Sequence, residues 1–161
     1  MKVTRKAGKI EALRETVHAL ADAKARVGWF PSAVYEKGQP VAGVAAVQEF
    51  GSTKRSIPPR SFMRTTAIEK RPDWVKTTAD LSRAAAQGKL EPKNVMPALA
   101  MAAEGHVRAT ITKLVDPPLA QSTIDARKRR LANGGKGAKS TIAKPLVDRG
   151  ILLNTLTSET E

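Results

Sequence analysis

The chain has 161 residues, with 28 Lys and Arg against 15 Asp and Glu, a formal charge of +13 and no cysteine. That length can bury the core of one domain, and the missing thiols exclude a disulfide framework, a thiolate zinc site and a cysteine nucleophile. His18 and His106 are the two histidines, too few for an imidazole-rich metal site, and no apolar run is long enough to span a membrane. Met1-Lys2-Val3-Thr4-Arg5-Lys6 is charged with no apolar run behind it. No secretory signal is therefore read, and a soluble product made in a cytoplasm is expected.

Ile10, Leu13, Val17 and Leu20 recur at helical spacing, so residues 9–24 predict an amphipathic helix with that stripe as its apolar face. A β-leaning run, Arg26 to Phe30, stops at Pro31, and residues 36–40 form a loop. Residues 41–50 predict a short buried helix stopped by Gly51. Residues 51–60 are extended, because Pro58 and Pro59 fix φ and push Ile57 out of the α region. Ser61 caps a helix through Phe62, Met63 and Ile68, and Pro72 opens a continuation that ends near Gly88. Residues 92–115 predict the longest helix, striped by Met96, Leu99, Ala103, Val107, Ile111 and Leu114 and ended by Asp116-Pro117-Pro118. A helix over 121–132, a Gly/Lys loop, a helical turn at 151–154 and a strand over 155–160 complete the chain. The fold class is α+β: a mostly helical single domain over 1–161, with a small sheet of a few short strands, a flexible basic arm at 1–8 and a flexible basic loop at 133–144.

A charge this positive is the electrostatic footprint of a chain that meets polyanions. It is concentrated at two places: Lys2, Arg5, Lys6 and Lys9, and then Arg127, Lys128, Arg129, Arg130, Lys136, Lys139 and Lys144. Consecutive Arg127 to Arg130 on a helix encircle its axis, so no groove-reading face results. No aromatic is interleaved with them, which argues against base stacking. The pattern fits contact with phosphates without reading of bases, with Arg127, Lys128, Arg129, Arg130, Lys136 and Lys139 as the DNA-facing candidates. A pair of solvated, solubilising segments is the alternative.

Catalytic chemistry has no candidate. The glycines and Lys-Ser of residues 134–140 lack phosphate-loop spacing and follow no buried strand. A serine triad lacks a base, since His18 and His106 fall inside amphipathic helices, no carboxylate pair has the desolvated setting that tunes an acid or base, and no metal or cofactor is called for. Glu49, Phe50 and Gly51, then Ile57, Pro58, Pro59, Arg60 and Phe62, place two phenylalanines and an arginine around a stiff turn. Such a segment suits a subunit contact, being rigid and rich in contact-forming residues. Equally, Phe50 and Phe62 suit a core whose prolines aim a helix.

Val47-Gln48-Glu49-Phe50-Gly51 followed by Ile57-Pro58-Pro59-Arg60-Ser61-Phe62-Met63-Arg64 resembles a signature of bacteriophage neck and tail-completion proteins, small virion-morphogenesis components of long-tailed phages. That family shows Glu-Phe-Gly, a short gap, then Ile-Pro-x-Arg-x-Phe. The C-terminal part is similar too: Pro118-Leu119, Thr123-Ile124, a basic stretch, then Lys144-Pro145-Leu146-Val147-Asp148, Gly150 and Leu152-Leu153-Asn154. The ordered pair covers roughly residues 41–65 and 117–156. Arg149 stands where the family usually has Thr, and Thr155-Leu156 replaces a Ser-Ile-like pair.

The resemblance implies a structural virion protein without catalysis, made in the host bacterial cytoplasm. It implies a ring, usually six-fold, at the head-proximal end of the tail, either as tail terminator or as an adjacent neck protein. The implied partners are further copies of the chain, head–tail connector or stopper proteins, the tail tube protein, and double-stranded genomic DNA passing non-specifically through the lumen. No membrane, metal or cofactor is implied. On charge alone, the rival is a sequence-independent nucleic-acid binder.

Overall fold

The computed structural model describes residues 3–161, with side chains from Gly8 onward. In chain order these form helix α1 (Val3–Ala21), strand β1 (Ala25–Gly28), and helices α2 (Val41–Phe50), α3 (Phe62–Ala86), α4 (Val95–Lys113), α5 (Gln121–Ala132) and α6 (Ile151–Asn154), followed by strand β2 (Thr157–Thr160). Tight 3-10 turns lie at Thr53–Arg55, Pro92–Asn94 and Lys139–Thr141. β1 and β2 make one two-stranded antiparallel sheet, prolonged by reciprocal bonds between Lys24 and Glu161 at 2.9 and 3.0 Å. The fold is thus mostly helical α+β, as the patterning predicts. No helix among the described residues is long and apolar enough to cross a membrane.

The chain gathers into two compact units, described in turn. The first comprises Met1–Val27, Ile68–Gly105 and Ser158–Glu161. Its buried residues include Ala85, Val95 and Ala100, and α1 packs on the Pro92–Asn94 turn. The predicted stripe of α1 is not its buried face: Ile10, Leu13 and Val17 are 60%, 52% and 59% exposed, while Thr16 is 3% exposed. Thr16 can face inward because its hydroxyl donates to Ala12 O at 2.7 Å, so no polar group is stranded. Helix α1 already begins at Val3, so the arm expected to be flexible over 1–8 is helical from that residue, and Met1 and Lys2 lie outside the described residues. α3 likewise runs unbroken through Pro72, which the sequence places at a new helix start. Pro72 and Ile68 are both exposed, so the carbonyl that loses its partner is open to water.

The second unit comprises Gly28–Ala67 and His106–Thr157. Its core holds Val41, Ala45, Phe62, Val107, Ile111, Leu152 and Leu156, each at most 4% exposed. α2 packs on α6. Trp29 meets Phe62 edge-on, with ring centres 5.8 Å apart, and its indole N–H donates to Leu152 O at 2.9 Å. The α4 stripe predicted from spacing holds here, with Val107 and Ile111 buried. Much of this unit is irregular chain, and its loop carbonyls need partners. Arginines supply them: Arg108 donates to Leu153 O and Leu156 O at 2.5 and 2.6 Å.

Candidate functional site

The segment from Gln48 to Arg64 is anchored by three buried side chains, Glu49, Arg60 and Phe62. α2 ends at Gly51, whose φ is +75°. A Cβ there would lie 2.8 Å from both Ile57 O and Pro59 N, so glycine alone fits. The returning chain brings α3 back onto α2. Glu49, 4% exposed, then closes the N-terminus of α3: its carboxylate accepts the backbone N–H groups of Met63 and Arg64 at 2.9 and 3.2 Å, and Nε of Arg64 at 2.9 Å. The capping carboxylate comes from fourteen positions upstream of Met63, where the sequence assigns this task to Ser61.

Arg60 joins this scaffold to the C-terminal motif. Also 4% exposed, it donates to Gln48 Oε1, Pro117 O and Pro118 O, each at 2.9 Å. Within the C-terminal motif, Arg127 donates to Thr141 O, Ile142 O and Lys144 O at 3.2, 3.1 and 2.8 Å, and lies 3.4 Å from Asp148. Arg130 forks onto both Asp148 oxygens and donates to Lys136 O at 3.0 Å. A Cβ on Gly135 would lie 2.5 Å from Arg130 Cγ, so the chain approaches that side chain only as glycine.

The two motifs converge on one cavity of about 560 Å³ within the second unit. The first supplies Gln48, Ile57 and Arg60, and the second supplies Thr123, Arg127 and Asp148. Burial, and then the charge of Arg127, lowers the proton affinity of Arg60 from the ordinary arginine value. Burial also lowers that of Arg127, against the pull of Asp148. The hydrogen bond that Arg130 donates to Asp148 raises its own proton affinity. Tyr35, also in the lining, is raised by burial and then by Asp148.

These placements divide the candidate residues. Of the contact set, Glu49, Arg60 and Phe62 are buried, so they build the fold and are not a contact surface; Phe62 is 0% exposed. Gly51 and Ile57 are half-buried at the turn, whereas Pro58, Pro59 and Phe50 are exposed. Phe50, 66% exposed, carries the Arg64 guanidinium 5.0 Å above its ring. Of the DNA-facing set, the buried Arg127 and half-buried Arg130 donate to loop carbonyls and lie against Asp148. Lys128, Arg129, Lys136 and Lys139 are exposed, with Lys136 held 3.2 Å from Glu36. The loop over 133–144 has little regular structure, but these arginines tie it at four carbonyls. Sequence reasoning missed Tyr35, Gln48, Arg55 and Arg149 as lining residues, since nothing in their local spacing marks them. Among the described residues, no cluster of three or more His, Asp or Glu is placed to hold a metal ion. Against protein-family models, curated proteins and solved structures, the chain finds no match.

Proposed function

We propose that this chain is a structural virion protein that forms a ring, six-fold by the family pattern, at the head-proximal end of a phage tail, completing the tail and joining it to the head connector. The observation that carries the reading is the Arg60 clasp on Pro117 O and Pro118 O, which makes the two separated motifs one structural piece. A signature whose halves hold each other belongs to a shared fold more than to chance spacing. The exposed remainder of the first motif, Phe50, Pro58 and Pro59, borders a shallow groove and is the subunit contact in this reading. A rigid apolar rim of this kind loses little entropy on docking. Its partners are neighbouring copies, the connector or stopper, the tube protein and transiting DNA, and no catalytic step is assigned.

Electron microscopy of lysates with and without the gene tests this. Full heads separated from tails, or tails of uncontrolled length, are the expected outcome of deletion, and loss of length control favours a terminator over a neck protein. Intact, normal virions overturn the reading. A second reading, sequence-independent nucleic-acid binding, is favoured by one observation: Lys128, Arg129, Lys136 and Lys139 remain exposed after the inward arginines are set aside.

A further inference from the structure

We propose that the cavity in the second unit is an oxyanion site, taking inorganic phosphate or the phosphoryl end of a small phosphate ester. Arg55, Arg60, Arg127 and Arg149 line it against a single carboxylate, Asp148. Asp148 is already shared between Arg127 and Arg130, and Arg149 is paired with Glu36 at 2.9 Å. Arg60 has no carboxylate partner: its three acceptors, Gln48 Oε1, Pro117 O and Pro118 O, are neutral. At 4% exposure it is a full charge withdrawn from water without a counter-ion, a costly arrangement that an anion in the cavity relieves.

Donors for such an anion are at hand. The acceptors of Arg60 use three of a guanidinium's five N–H groups. Arg55 has no ion-pair partner among the described residues, and Ser122 and Thr123, which each carry a hydroxyl, line the same space. Those two residues sit in the first turn of α5, whose cap position is Ala120 with no side-chain cap. Its leading N–H groups therefore add to the positive field without carrying the argument. The volume, about 560 Å³, lies in the range of small-ligand sites and excludes a duplex from entering whole. This inference stands on the cavity alone and is independent of the ring reading.

The test is thermal unfolding and titration calorimetry of the full chain in inorganic phosphate against chloride at matched ionic strength. The expected result is a saturable rise in Tm with phosphate, and binding weakened about tenfold in Arg55→Gln and in Ser122→Ala, the loss of one or two strong donor contacts. Both residues are exposed, so their Tm in chloride stays at the parent value. Phosphate no better than chloride, or unchanged affinity in both variants, overturns the proposal. Competition identifies the source. Displacement by a nucleoside monophosphate but not by a duplex assigns the site to a free phosphate ester, and displacement by the duplex assigns it to a backbone phosphate.

Discussion

The carboxylate of Glu49 accepts the backbone N–H of Met63 at 2.9 Å, from a side chain only 4% exposed. One residue at the end of α2 thus starts α3, and the intervening turn exists to bring them together. Removing the carboxylate strands two N–H groups, while the Arg64 guanidinium keeps Glu49 O and the Ser61 hydroxyl as acceptors. Glu49→Ala is expected to cost about 2–4 kcal/mol, a lost cap plus unsatisfied buried donors. Glu49→Gln keeps one acceptor and is expected to cost about half as much. Urea midpoints at constant slope check both, and equal losses for Ala and Gln would show that charge, not the acceptor, is what matters.

Gly51 is the second constraint on that turn. Its φ of +75° already disfavours a side chain, and backbone atoms stand 2.8 Å from where a Cβ would sit. Gly51→Ala is expected to destabilise by about 2–3 kcal/mol, combining left-handed strain with overlap. Gly38, at the same φ, has nothing within 4 Å of its Cβ position. Gly38→Ala should therefore lose only the conformational part, about 1 kcal/mol. Thermal denaturation of the pair separates strain from overlap.

Phe62 and Phe50 look alike in the motif and differ in the fold, at 0% and 66% exposure. Phe62→Ala is expected to cost about 3–5 kcal/mol, as for any large buried aromatic, and to remove the edge contact with Trp29. Phe50→Ala should cost the free chain under about 1 kcal/mol, the worth of an exposed cation–π pair. Under the proposed ring reading, the expected outcome is reduced particle yield with a nearly unchanged melting curve. Normal yields from Phe50→Ala would remove Phe50 from the contact surface.

What could be read from the sequence was what repeats locally. The α4 stripe was legible through Val107 and Ile111 because helical spacing and burial agree there. The end of α2 was legible because Gly51 is the residue that its backbone requires. On α1 the same logic selected the wrong face, since a threonine that bonds to its own helix can be buried while three aliphatics remain exposed. Arginine was the larger difficulty. Composition cannot distinguish a guanidinium turned toward solvent from one that binds loop carbonyls. Arg60 and Arg127 find their acceptors many residues away, at Pro117 and at Thr141 to Lys144. The cavity was invisible for that reason, being assembled by contacts that no local period encodes.

Glu36 fastens the basic loop from outside, bonded to Lys136 at 3.2 Å and Arg149 at 2.9 Å. The hydrogen bond from Lys136, and then that from Arg149, holds its carboxyl below the ordinary value of 4.5. A depressed carboxyl contributes stability that is fully present above the unfolded value and is lost as pH falls through the folded one. Loosening of the loop is therefore expected on the acid side of 4.5, and not near neutrality. Carboxyl-carbon titration by NMR follows it directly. Lys136→Ala should move the Glu36 midpoint part of the way back up, since Arg149 remains. An unmoved midpoint would mean that the Lys136 contact is not populated in solution.

Adjacent bases on α5 should separate folding from phosphate contact. Arg127 is buried and binds three carbonyls beside Asp148, while Arg129 is exposed. Arg127→Ala leaves those carbonyls and part of the Asp148 charge without a donor, and is expected to cost about 3–4 kcal/mol. Arg129→Ala should lie within about 0.5 kcal/mol of the parent, like other surface changes. Duplex binding reverses the ranking if the exposed bases meet phosphates. Each of Lys128→Ala, Arg129→Ala and Lys139→Ala is then expected to reduce the slope of log affinity against log salt by about 1, without altering sequence preference. A slope unchanged in all three would take these exposed bases out of any contact with phosphates.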